Sequence, residues 1–234
     1  ELPTQRVALA VGGSQFNHRV LTLPRMSEKK RAAVLTREFS TGGADVTAPL
    51  DDYMLLSTDK KTKADTVLAT RVESAVIETY INLAAACGLK LYSIDLALAG
   101  QIKLVRATPE LAGKSFVMLQ FDGDSLIAGL YEKGQYKYST RSRLFNPRGT
   151  EASGAEIGQK LSGLIQFQTA AKSEHPIKAV YFGGSTAADL AVCTPACRGL
   201  QLEVAAYPET ENIKLPEGIR LADITLAAGN LIGR

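Results

Sequence analysis

The sequence predicts an α/β protein built from two related halves, with a small β-α-β-β module at its start. Three observations predict it. A meander of three short strands opens the second half and is followed by alternating helices and strands. The first half ends in the same β-α-β-α cadence, so the unit looks duplicated. Residues 4–60 carry their own strand, helix and hairpin patterns where the first half would need an opening meander.

In the second half, "SFVMLQF" (115–121) and "SLIAGLY" (125–131) are apolar runs separated by "DGD", a hairpin turn. "EKGQ" (132–135) turns again, and "YKYSTRS" (136–142) alternates as a third strand. Ser153-Gly154-Ala155-Glu156 matches a capping box, and Ile157, Leu161, Leu164, Ile165 and Gln168 recur at helical spacing behind it. This predicts a helix over 154–172. "IKAVYF" (177–182) is a strand, Ser185 caps a short helix over 186–197, "LQLEVA" (200–205) is a strand, and "LADITLAAGNLIG" closes as a helix.

In the first half, "DTVLAT" (65–70) is a strand. Val72, Ala75, Val76, Thr79, Tyr80, Leu83, Ala84 and Cys87 then form a helical stripe, ended by Gly88. "LKLYSI" (89–94) is a strand and 95–105 a helix. Ahead of them, "QRVALAVGG" and "FNHRVLTLP" read as strands and "MSEKKRAAVLTREF" as a helix. "LDDYMLLSTDKK" pairs with "ADTVLAT" as a hairpin, so 65–70 fits either piece.

Composition excludes several classes. The chain has 234 residues, 45% hydrophobic and 22% charged, with net charge +3 and spread basic residues, so no nucleic-acid footprint stands out. The tight basic run "KKTK" (60–63) reads as a solvated hairpin tip. No apolar stretch reaches the length of roughly 18 residues that spans a membrane, and no leader pattern appears. The chain opens on Glu1, as a trimmed or partial chain would. Cys87, Cys193 and Cys197 are odd in number, which argues for a reducing compartment; Cys193 and Cys197 read as buried small residues.

Two β-β-β-α-β-α-β-α units, the first with an adjoining subdomain, resemble the actin-like ATPase architecture, a duplicated ribonuclease H-like fold with its first half incomplete here. Three stretches resemble the PilM family of type IV pilus assembly proteins, relatives of FtsA and of the cytoplasmic domain of the type II secretion L protein. They are "VLTLPRMSEKKRAAVLTREF" (20–39), "YINLAAACGLKLYSIDLALAG" (80–100) and "AVYFGGSTAADL" (179–190). The resemblance divides the chain into an extra subdomain like the family's 1C (4–64), the remainder of the first actin-like half (65–112) and the second half (113–234). It implies a cytoplasmic scaffold, peripheral to the inner membrane through a partner. The partner is the cytoplasmic N-terminal tail of a bitopic, PilN-like assembly protein, with residues 6–40 forming one wall of its groove. Self-association also belongs to the family's range; direct membrane insertion does not.

The resemblance also implies a site for ATP and magnesium, with Asp122 and Ser125 on the phosphate hairpin and Gly183, Gly184 and Ser185 at the adenosine side. The matching hairpin is degraded: Gln120 stands at the acid position and Asp122 at the glycine position, and only Ser125 fits. A carboxylate beside a polyphosphate is repulsive in a confined site. The first hairpin is absent from this chain. The glycine turn keeps two readings, a nucleotide contact or strand-to-helix geometry. We expect a non-catalytic protein without a bound cofactor or metal; the alternative is an active ATPase or kinase of the same superfamily. His18 and His175 read as surface residues without a placed catalytic partner, and "RSRLFNPRG" (141–149) as a solvated basic loop.

Overall fold

A computed structural model describes residues 5–13, 15–40 and 47–233. Residue 4, residue 14, residues 41–46 and residue 234, which the expected subdomains include, lie outside the described residues. The chain divides into two units, one formed by the described part of Glu1–Gly100 with Asn230–Arg234, the other by Gln101–Gly229.

The first unit contains β1 (Arg6–Val11), β2 (Asn17–Pro24), α1 (Glu28–Ser40), β3 (Pro49–Asp59), β4 (Ala64–Glu73), α2 (Ser74–Ala86), β5 (Lys90–Leu96) and the start of α3 (Ala97–Arg106). The strand left open between two pieces, β4, is the centre of an antiparallel sheet in the order β2-β4-β3. Alternation along β4 turns Val67 and Ala69 toward Leu23, Leu35 and Phe39. Asp65 and Arg71 share that face; Asp65 is paired across the packing layer with Arg31 of α1, and Arg71 within the sheet with its cross-strand neighbour Asp51 on β3. Arg31 donates to Asp65 at 2.6 Å and Arg71 to Asp51 at 2.7 Å. The hairpin tip at 60–63 forms as expected, with the Asp59 carboxylate accepting the Lys61 and Thr62 N–H groups.

β1 does not join that sheet. It pairs in parallel with β5. Its continuous apolar run suits a parallel strand, and residues 7–10 are half-buried with Val11 buried, whereas β2 alternates as an antiparallel strand does. The end of α2 is a Schellman motif: Gly88, at φ +69°, donates to Ala85 O, and Leu89 to Ala84 O. The buried stripe of α2 differs from the expected one. Val76, Ile77 and Tyr80 pack with Val11, Phe16 and Val72, while Leu83 is 59% exposed. A helix resting on two strands covers one side of its apolar circumference and leaves the rest open.

The second unit holds the rest of α3, then β6 (Phe116–Asp122), β7 (Ser125–Glu132), β8 (Gln135–Arg143), α4 (Glu151–Ala170), β9 (Ala179–Gly183), α5 (Ala187–Gly199), β10 (Glu203–Ala206) and most of α6 (Thr225–Leu231). This is the expected order. The five strands form one sheet, β10-β9-β6-β7-β8, parallel across β10, β9 and β6 and antiparallel through the meander. Both meander turns have two residues. In the second, Lys133 (φ +50°) and Gly134 (φ +74°) both adopt the left-handed conformation that a tight hairpin requires. The core lies between one sheet face and the helices α4 and α5, and includes Val117, Leu119, Phe182, Leu161, Cys193 and Cys197. Burial pushes both thiols up, Cys193 to about 12 and Cys197 to about 11, so they act as packing residues.

The start of α4 corrects the sequence reading. Thr150, not Ser153, is the cap, and Ser153 is its reciprocal partner at the third helical position. Glu156, freed from capping, accepts the N–H groups of Phe145 and Asn146 and so braces the preceding loop. The short Ser153 side chain can close the box because its hydroxyl reaches the Thr150 N–H at 3.2 Å.

Candidate functional site

β6 and β9 run side by side with Gln120 opposite Gly183. The hairpin after β6 and the glycine turn after β9 therefore leave the same end of the sheet. This is the carboxyl end of parallel strands, where open α/β sheets bind ligands. Asp122 and Ser125 face each other across the hairpin. Asp122 is exposed and accepts from Arg141 at 3.0 Å. Ser125 is half-buried beside it.

At the glycine turn, the close approach that the missing side chains permit is taken up by the protein itself. A Cβ on Gly183 would run into the Gln120 amide oxygen and, at 2.6 Å, the Thr225 hydroxyl. A Cβ on Gly184 would lie 2.7 Å from the Phe121 carbonyl and 2.8 Å from the Gln120 amide nitrogen. Gly184 also has φ +63° and donates its N–H to Ala222 O at 2.7 Å. Gln120, which stands where the family pattern has an acid, is an internal strut. Its Nε2 donates to Phe121 O at 2.9 Å and its Oε1 accepts the Thr225 hydroxyl.

Ser185 is buried but does not cap α5. Thr186 does, in a reciprocal capping box with Asp189. The sequence carries this signal as Thr186-x-x-Asp189, one residue beyond the serine. The physical reason is space: Ser185 follows the left-handed Gly184 and still belongs to the turn, so the helix starts one residue later.

The loop at 141–149 is also different from the expectation. Residues 141–143 are the end of β8, and Phe145 is 88% exposed, but Arg148 turns inward. Its Nη2 donates to Asp189 Oδ2 at 2.5 Å and to Gly184 O at 2.9 Å. Its Nε reaches Asp189 Oδ1 at 3.4 Å and its Nη1 reaches Gly123 O at 3.4 Å. The guanidinium lies over the Phe121 ring, 4.2 Å from its centroid. Arg148 thus touches both the hairpin and the glycine turn. Local pattern could not find it, because Arg148 and Asp189 are 41 residues apart.

Burial pushes the Asp189 carboxyl up, but the Arg148 guanidinium and the Thr186 N–H and hydroxyl outweigh it and hold the group below the ordinary aspartate value. The Arg71 fork does the same to Asp51. A carboxyl with a lowered folded pKa stabilises fully above its unfolded pKa and loses that contribution as pH falls through the folded value. The urea midpoint is therefore expected to hold between about pH 5 and 7 and to drop below about pH 4. A midpoint that stayed level down to about pH 2 would contradict these pairings.

The remaining candidates gather no chemistry. His18 is exposed, and His175 is half-buried with its backbone carbonyl accepting from Gln168. Among the described residues, no three His, Cys, Asp or Glu side chains gather as a metal-ligand set. No described helix is long and apolar enough to cross a membrane.

In sequence, no family model matches the chain, and no curated protein does either. In structure, it is similar to the PilM-PilN type IV pilus biogenesis complex at 14% identity, covering 97% of this chain and 79% of that one with a TM-score of 0.76. It is also similar to a Bacteroides thetaiotaomicron protein of unknown function with an actin-like ATPase fold, at 10% identity, 97% and 74% coverage and a TM-score of 0.55. With a mixed sheet, alternating crossover helices and these neighbours, the chain has an actin-like fold.

Proposed function

We propose that this chain is a non-catalytic actin-like scaffold of a type IV pilus or related secretion platform, which holds the cytoplasmic N-terminal tail of a bitopic inner-membrane protein. The observation that carries this reading is the likeness of nearly the whole chain to the PilM-PilN complex. The glycine turn supports the non-catalytic half of it. Gln120, Phe121 and Thr225 fill the approach a nucleotide would use, and the acid position of the hairpin holds an amide. The protein then works at the inner face of the membrane, attached through its partner.

Residues 6–40 form one wall of the tail site in this reading. β2 lies there at an edge of its sheet and presents an exposed Val20. An extended tail could use such an edge for main-chain hydrogen bonds and an apolar residue for anchoring. Isothermal titration with synthetic cytoplasmic tails of bitopic pilus proteins is expected to give saturable binding. Val20→Asp should weaken it by about tenfold or more. A tail that binds equally well to the variant removes β2 from the site, and no binding by any tail removes the scaffold reading. In parallel, Mg-ATP is expected to leave the thermal midpoint unchanged, since a ligand of the native state must raise it. A magnesium-dependent rise of several degrees would favour the ATPase reading instead.

A further inference from the structure

The guanidinium of Arg148 is held by oxygen atoms from three separate places in the second unit: Gly123 O on the hairpin, Gly184 O on the glycine turn, and the Asp189 carboxylate at the start of α5. The Phe121 ring supplies an electron-rich face against it. Each of these groups is an acceptor. A polyphosphate site is built the other way, from N–H donors and positive helix ends. The Asp189 side chain is 2% exposed, so its charge requires a partner inside the protein.

We propose that this corner is a guanidinium socket, filled by the chain's own Arg148, and that the seated side chain fastens the hairpin to the glycine turn as a bound ligand otherwise would. The planar fork is what the geometry calls for. Two nitrogens face the carboxylate, one of them also meets Gly184 O, and the third reaches Gly123 O. An ammonium group on a lysine stem cannot present donors in those directions at once. The class of ligand that fits the socket is therefore a small guanidinium. This assignment is independent of the tail-binding reading, since it concerns the second unit by itself.

Chemical rescue tests it. Arg148→Ala is expected to lower the thermal midpoint, and methylguanidinium chloride to restore several degrees relative to the same concentration of methylammonium chloride. The wild type and the double variant Arg148→Ala/Asp189→Asn should show no such difference between the two salts. Equal responses to the two salts in Arg148→Ala, or rescue that survives in the double variant, would overturn the socket. Arg148→Lys, which keeps the charge, provides a second readout should the alanine variant fail to fold. Amide exchange at Gly184, whose N–H is held by Ala222 O, and at Leu144, whose N–H is held by Asp124 O, should quicken by about tenfold or more against the wild type. Unchanged exchange there would show that the fork fastens nothing.

Discussion

Gly184→Ala is expected to cost roughly 2–4 kcal/mol of stability. Two penalties combine at this position. The backbone sits at φ +63°, which an L side chain adopts only with strain. The new methyl would also lie 2.7 Å from the backbone Phe121 carbonyl and 2.8 Å from the Gln120 amide nitrogen, a side-chain end held in place by Phe121 O and the Thr225 hydroxyl. Gly123 provides the internal control. It has φ +57° but nothing within 4 Å of its missing Cβ, so Gly123→Ala should cost only about 1–2 kcal/mol. Urea unfolding of the two variants separates strain from collision. Equal losses would mean that β6 yields easily at its end, and that the glycine turn has room for a ligand after all.

In the first unit, Asp65→Ala is expected to cost about 3–5 kcal/mol, because it leaves the buried Arg31 without its counter-charge. Arg31 would keep its place over the Tyr53 ring, 4.8 Å from the centroid, and Thr58 would lose the acceptor that its hydroxyl meets at 2.9 Å. The Arg31 Nε already has no partner. That makes the pair an expensive way to fill the layer between α1 and β4. The double variant Arg31→Met/Asp65→Leu should therefore recover most of the loss. Urea unfolding checks both changes, and a double variant as unstable as the single one would show that the ion pair is needed for more than charge balance.

The second half of the fold was legible because its signals are local. Asp122-Gly123-Asp124 and Lys133-Gly134 encode their turns in their own dihedral needs, and Ile157, Leu161 and Leu164 repeat at the spacing of a helix face. The choice of capping residue is not carried by the local pattern alone. Ser153 and Ser185 both stand near a helix start, but the caps are Thr150 and Thr186, decided by where the chain leaves the preceding turn. The partner of β1 was also hidden, since β5 lies far along the chain and parallel pairing has no turn to announce it. In the candidate site, the glycines and Asp122 could be seen as a pattern. The groups that decide the chemistry, Arg148 and the buried Asp189, meet only through tertiary structure.

The two-residue turns of the β6–β7–β8 meander bear on the order in which the second unit can assemble. Closing each hairpin fixes a very short loop, so the entropy lost is small and the strand pairs repay it at once. The β6–β9 pairing is different: β7, β8 and α4 all lie between its strands in the chain, and their freedom must be given up first. The carboxyl end of the sheet, where hairpin and glycine turn meet, is thus a junction between the most local contacts of the unit and long-range ones. A side chain that bridges the two there makes both of its contacts only once hairpin and glycine turn stand side by side.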